Sequence, residues 1–361
     1  MEKNFFDLTF FQLKEFLIEK VGIAEKQAKM RTQQMFNAVY KKNIKSFDEL
    51  TTFSLDLREK IKNLISLEKS AKIIEIQKSK SDGVIKFLLE LKDKRQTETV
   101  LIPDKSKSKY TICLSVSVGC FLNCQFCATA QIPKKLVRNL SASEIMSQIM
   151  LCKEYLNDWK TSNKLVKTQV LMGSGDFALN AENVRTYIMN AKHKDSLDYG
   201  RTRITVSSVG LGNKIKDLSV IEWAARELDV YFAWSLHNPI NKQRLEMMPN
   251  GNYSIDDLIP KFKKYYQITK LPIFIEYVAL ENNITKEHAN AMVSLMKKVP
   301  SKLNLIEYNP LDNRDFKPAT QENIDIFSKI IKDNGFLALF RKSKGRDINA
   351  SCGSLALKRV N

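Results

Sequence analysis

The chain has 361 residues, 43% of them hydrophobic, enough for one large core or two modest ones. No window reaches the roughly 18 uninterrupted apolar residues of a membrane helix, and Met1-Glu2-Lys3-Asn4-Phe5-Phe6-Asp7 lacks a secretory pattern, so a cytoplasmic protein without membrane attachment is expected. Lys and Arg outnumber Asp and Glu by 58 to 40, and the formal charge of +18 favours a polyanionic partner, most naturally nucleic acid.

In chain order, residues 8 to 70 carry apolar positions at helical spacing, among them Phe36, Val39 and Tyr40, which predicts a small helical domain. Two short strands follow, 84–91 and 98–103, joined by a charged turn and read as a bridge between domains. Strand-like runs then recur near 111–118, 167–173, 202–207, 230–236, 272–278 and 303–308. Helical stretches near 141–156, 180–194, 213–228, 254–268, 285–298 and 320–334 follow them in turn. Six strand–helix units in series predict an α/β fold, a (βα)6 partial TIM-type barrel with a parallel sheet. The expected divisions are 1–75 for the helical domain, 76–104 for the β linker, 105–335 for the barrel and 336–361 for the tail.

Barrels of this kind do their chemistry at the carboxyl ends of the strands. Here those ends are polar: the Cys120 loop, Gly173-Ser174-Gly175-Asp176, Ser207-Ser208, Ser235-Leu236-His237, Glu276 and Asn309-Pro310. Any one could be an ordinary turn. Two basic clusters, Lys105 to Lys109 and Arg341 to Arg346, flank them and suit an RNA partner.

Cys120, Cys124 and Cys127 lie on one loop with three and two residues between them, and thiolates are the preferred ligands of iron-sulfur clusters. A cubane has four irons, so three thiolates leave one free for a substrate. This pattern matches the signature of the radical S-adenosylmethionine (SAM) superfamily. Structural zinc, the competing reading, needs four ligands, and no second CxxC knuckle exists. By residue type alone, Cys113 and Cys152 read as small core residues, whereas Cys352 lies in a polar tail that makes a poor core.

These features together resemble the RlmN/Cfr family of radical SAM adenine methyltransferases. The likeness runs through Arg31 to Phe36, Phe47-Asp48-Glu49-Leu50, Glu98 to Pro103, Cys113 to Cys127, Arg138-Asn139-Leu140-Ser141, Ser235-Leu236-His237, Met248-Pro249, Asn309-Pro310 and Gly345 to Gly353. It implies a 4Fe-4S cluster on Cys120, Cys124 and Cys127, and two SAM molecules per turnover. It further implies SAM contacts at Gly175, Asp176, Ser207, Ser235, Leu236, His237 and Asn309. Cys352 would carry the methyl group and form a covalent adduct with RNA, Cys113 would resolve that adduct through a disulfide with Cys352, and Glu98 would accept a proton.

The resemblance also implies carbon-2 of an adenosine in 23S rRNA, and in tRNA, as the target. A helical RNA-binding accessory domain, an electron donor such as flavodoxin and a monomeric state complete the expectation. Carbon-8 chemistry, another radical SAM substrate and a zinc-bearing RNA-binding protein are the alternatives. Two departures stand out: Gly175-Asp176-Phe177 replaces the usual Gly-Glu-Pro, and the segment between Ser207 and Ser235, with Trp223, is longer than is typical.

Overall fold

The computed structural model describes residues 3–106, 108–159, 164–251, 253–311 and 315–353. Lys107 of the first basic cluster and residues 354–361 of the expected tail lie outside that set. The alternation of strand and helix signals folds into one ten-stranded sheet whose strands neighbour one another in plain chain order. They are β1 (Ala71–Lys78), β2 (Ile85–Leu91), β3 (Gln96–Pro103), β4 (Tyr110–Cys113), β5 (Val166–Leu171), β6 (Ile204–Ser208), β7 (Tyr231–Ser235), β8 (Ile273–Ala279), β9 (Ser301–Glu307) and β10 (Ala338–Arg341). From β4 to β10 every pairing is parallel, whereas β1 to β4 pair antiparallel. β1 and β10 are opposite edges of the sheet, which makes the barrel a partial one.

The expected bridge at 76–104 is thus continuous with the barrel sheet. β1, which begins at Ala71, and β10 had no counterpart among the predicted strands. Helices α4 (Ala142–Tyr155), α5 (Ala181–Lys192), α6 (Val220–Glu227), α8 (Ile255–Thr269), α9 (Lys286–Met296) and α10 (Gln321–Asp333) fill the crossovers where helical periodicity placed them; the short α7 (Asn241–Met247) was unforeseen. All of these but α5 and α7 start at side-chain caps, with reciprocal capping boxes at Ser141/Glu144 and Ser254/Asp257. α6 begins at Val220 and not at 213, because Lys216 and Asp217 take positive φ and turn 214–219 into a small hairpin.

The run predicted as a strand over 111–118 is broken after Cys113. Gln148 of α4, fully buried, takes over the missing ladder bonds: its Oε1 accepts from the Ser115 amide at 2.9 Å and its Nε2 donates to the Ser115 carbonyl at 2.9 Å. The chain can therefore leave the sheet without stranding a buried peptide group.

Helices α1 (Phe10–Phe16), α2 (Glu25–Phe36) and α3 (Leu55–Lys62) form the amino-terminal unit around Phe5, Phe36 and Tyr40. It seats on α4 and α5: the Asp7 carboxylate accepts from the Ser143 amide at 2.7 Å, Asn190 donates to the Leu8 carbonyl at 3.0 Å, and Phe10 stacks on His193 at 4.3 Å.

At the other end of α4, Lys153 and Asp158 form a buried ion pair at 2.5 Å. Asp158 also accepts from the Leu165 and Val166 amides at 2.5 and 3.3 Å. Asp158→Ala leaves a buried ammonium without its counter-ion and two amides without their acceptor, so it is expected to lower unfolding stability by about 3–5 kcal/mol. The urea midpoint, measured against the parent chain, checks this.

Candidate active site

The strand ends meet at one mouth. Gly173 and Gly175 let the loop after β5 lie hard against the first strand: a Cβ on Gly173 would stand 2.6 Å from Ser115 Oγ, and one on Gly175 (φ +98) 2.2 Å from Ser117 Oγ. Only glycine fits such an approach. The hydroxyls of Ser117 and Ser174 both donate to the Gly119 carbonyl, which fixes the backbone immediately before Cys120.

Cys120, Cys124 and Cys127 are half-buried on that loop. Burial drives the Cys120 thiol up to about 12, against the lowering effect of the Leu122 amide, and burial with its neighbouring thiols drives Cys124 well above the ordinary range. Among the described residues, no three His, Cys, Asp or Glu side chains gather tightly enough to hold a single metal ion. A cubane, with each thiolate on its own iron, takes ligands that stand farther apart. The Cys124–Cys127 turn closes with a 3.1 Å bond from the Cys127 amide to the Cys124 carbonyl.

Arg244, on α7, gave no signal in the sequence, where it sits in the polar run Asn241-Lys242-Gln243 and reads as a solvated helix face. It is fully buried. Its guanidinium donates to the carbonyls of Val209 at 2.5 Å and Tyr253 at 2.9 Å, and its Nε has no partner among the described residues. The Gln125 amide donates to the Met247 carbonyl at 2.9 Å, so α7 is tied to the residue beside Cys124. Burial lowers Arg244 to about 10, and the nearby Cys124 opposes the shift. No carboxylate pairs with this cation among the described residues, and an anionic thiolate-bound group beside it would supply the missing countercharge. The donor set and this orphaned Nε both fit an iron-sulfur cluster.

The expected SAM contacts spread along the same rim. Ser207 and Ser235 touch through their hydroxyls at 3.1 Å. His237, at φ +56, accepts the Val278 amide on Nδ1 at 3.1 Å, which leaves the proton of the neutral ring on Nε2. Burial, then the Arg244 charge, lowers it to about 3, so it stays neutral. Leu236 is fully buried. The carboxyl of Asp176 is raised to about 6 by burial and accepts from the Val209 and Ala178 amides at 2.8 and 2.9 Å. Those two bonds occupy part of a carboxylate that has about four acceptor sites. Phe177, in place of the usual proline, is fully buried against Phe232.

Asn309 bridges to the tail, its Nδ2 donating to the Cys352 carbonyl at 3.2 Å and its Oδ1 accepting from Arg346 at 3.1 Å. Arg346 also pairs with Glu307 at 2.9 Å, and Lys344 donates to the Pro103 carbonyl at 2.8 Å. Part of the second basic cluster is therefore engaged in fastening the tail. A further bond, from the Ala128 amide to the Gly353 carbonyl at 2.7 Å, fixes the tail to the cysteine loop.

Cys113 and Glu98 share one face of the sheet. Register pairs Val100 with Cys113 across β3 and β4, and Ser115 Oγ donates to the Glu98 carbonyl at 2.7 Å. Cys113 packs with Val84, Val100 and Ala350 of the tail. Its thiol is pushed up to about 12, chiefly by burial and secondarily by Cys352, which is exposed nearby at the mouth. Both thiols are free. Glu98 is buried, and loss of water raises its pKa against the pull of Lys86. Glu276 of β8 and Asn304 of β9 add a buried pair at 2.8 Å inside the same barrel.

An open, largely parallel barrel with three thiols on the loop beyond its first parallel strand has the architecture and ligand set of a radical SAM enzyme. A crystal structure of a radical SAM methyltransferase from Sphaerobacter thermophilus superposes with a TM-score of 0.84, covering 98% of both chains at 28% identity. The profile of the ribosomal RNA large subunit methyltransferase N-terminal domain matches residues 3–67.

A dual-specificity RNA methyltransferase RlmN from Lawsonia intracellularis is 36% identical, with 90% of this chain and 89% of that protein covered. A probable one from Christiangramia forsetii is 34% identical, with 94% of each covered, and another from Clostridium beijerinckii is 35% identical, with 99% and 96% covered. The chain belongs to the RlmN family of dual-specificity RNA methyltransferases. Among its described residues, no helix is long and apolar enough to cross a membrane.

Proposed function

We propose that this enzyme methylates carbon-2 of an adenosine in 23S rRNA and in tRNA, through a methyl group carried on Cys352 and a covalent enzyme–RNA adduct. That ring carbon is electrophilic, so polar methyl transfer from a sulfonium has no nucleophile to work with. When bound at Cys120, Cys124 and Cys127, a 4Fe-4S cluster with SAM supplies both the methyl group and the radical chemistry that overcomes this.

The chain's own residues then have separate tasks. Gly175, Asp176, Ser207, Ser235, Leu236, His237 and Asn309 line the rim where SAM would be held, with His237 kept neutral and able to donate from Nε2. Cys352 is the carrier thiol. Glu98 accepts the proton lost from the ring carbon, and Cys113 attacks the sulfur of Cys352, breaking its bond to the transferred carbon, which takes up a proton to become the product's methyl group, and leaving a disulfide that an external reductant reopens.

One observation carries this reading: the tail brings Cys352 beside both the cysteine loop, through Ala128 and Gly353, and the buried Cys113, through Ala350. A net charge of +18 supports RNA as the substrate. Reconstituted enzyme, reductant, labelled SAM and unmodified ribosomal and transfer RNA test it. Mass spectrometry of the digested RNA is expected to give 2-methyladenosine, and 8-methyladenosine alone would overturn the product assignment.

A further inference from the structure

Lys86 lies on β2 within Val84-Ile85-Lys86-Phe87, a run otherwise apolar and almost wholly enclosed. A lysine so placed must find polar partners, because an unpaired ammonium there carries a desolvation penalty that packing does not offset. It finds two. Nζ is 3.1 Å from Glu98 Oε1, with both side chains about nine-tenths buried, and it donates to the Asn349 carbonyl of the tail at 3.3 Å. Strand register explains the first contact: Lys86 sits opposite Val100 and Leu88 opposite Glu98, so lysine and glutamate are diagonal neighbours on one face. The second contact is made three residues before Cys352.

We propose that Lys86 is a positioning residue that keeps Glu98 ionised inside the barrel and makes that state depend on the docked tail. This rests on the reading of Glu98 as the proton acceptor. A buried ion pair adds little net stability compared with a packed apolar pair. Its placement between the acceptor and the thiol-bearing segment therefore points to chemistry.

The groups facing Glu98 are few: Lys86 on β2, Glu75 on β1, whose charge works against ionisation, and Cys113 with Ser115 beyond β3. Lys86 is thus the cation that favours the carboxylate. Undocking of the tail removes the Asn349 carbonyl from Nζ and frees the ammonium to leave, so the acceptor is fully ionised only while Cys352 is in place.

The test compares Lys86→Met, Lys86→Arg and Glu98→Gln with the parent enzyme, each reconstituted to equal iron content as a control for folding. The readouts are the acid limb of the single-turnover pH profile and the amount of denaturation-resistant enzyme–RNA adduct. Without the ammonium the Glu98 carboxyl holds its proton to higher pH, so Lys86→Met is expected to move the acid limb upward and to accumulate adduct as Glu98→Gln does. Lys86→Arg, which retains the charge, is expected to return the limb toward the parent's position. An unmoved limb and no adduct in Lys86→Met, beside a Glu98→Gln enzyme that accumulates adduct, overturns the assignment to Lys86 alone. A Glu98→Gln enzyme that turns over like the parent removes the proton-acceptor reading, and the assignment with it.

Discussion

Cys352→Ala is expected to abolish methyl transfer to RNA, a loss on the order of a thousandfold or more, and to leave no covalent adduct. Cys113→Ala is expected to lose product to a similar degree while the enzyme remains joined to its RNA. The contrast follows from where the two thiols sit. Cys352 is exposed at the mouth, on a segment fastened by Asn309 and by the Ala128–Gly353 bond, so it can meet a nucleotide. Cys113 is buried behind Val100 and Ala350, with its thiol pushed up to about 12. A thiol held neutral in an apolar pocket makes a poor first nucleophile, and it reacts once its partner's sulfur is delivered to it. Gel analysis of denatured reaction mixtures with labelled RNA separates the two outcomes. A Cys352→Ala enzyme that still methylates RNA would remove the carrier role.

The second large effect is expected at the cysteine loop. Cys124→Ala removes one of three thiols, the one whose charge state couples to the buried Arg244, so iron and sulfide content and the visible absorption of the anaerobically reconstituted protein should fall to near background. Arg244 should then make the loss worse than that of a thiol alone, because its charge is left without compensation beside the loop. Iron and sulfide assays on parent and variant measure this directly. A parent enzyme that binds one zinc and no iron would remove the cluster assignment altogether.

Much of this molecule was legible from local physics. Helical stretches in the sequence located the crossovers, and β-rich runs located six parallel strands, because both signals act within a few residues. The three-and-two spacing of Cys120, Cys124 and Cys127 pointed to a ligand loop for the same reason: one loop supplies all three thiols. β10 escaped notice because Ala338–Arg341 is short and carries charge, and α6 was drawn too long because the turn at Lys216 and Asp217 has no glycine to announce it.

What the sequence determined by itself was therefore the order of strands and helices, the loop of three thiols and the likeness from which the tasks proposed for Glu98, Cys113 and Cys352 are drawn. Only the tertiary structure decided which distant groups meet. Strand register put Lys86 diagonally across from Glu98, and the docked tail put Asn349 on that lysine and Ala350 on Cys113. Burial turned Arg244 from a surface cation into a charge beside Cys124 with no carboxylate partner among the described residues. Register, docking and burial depend on contacts between residues far apart in the chain, and no periodicity within a short window records them.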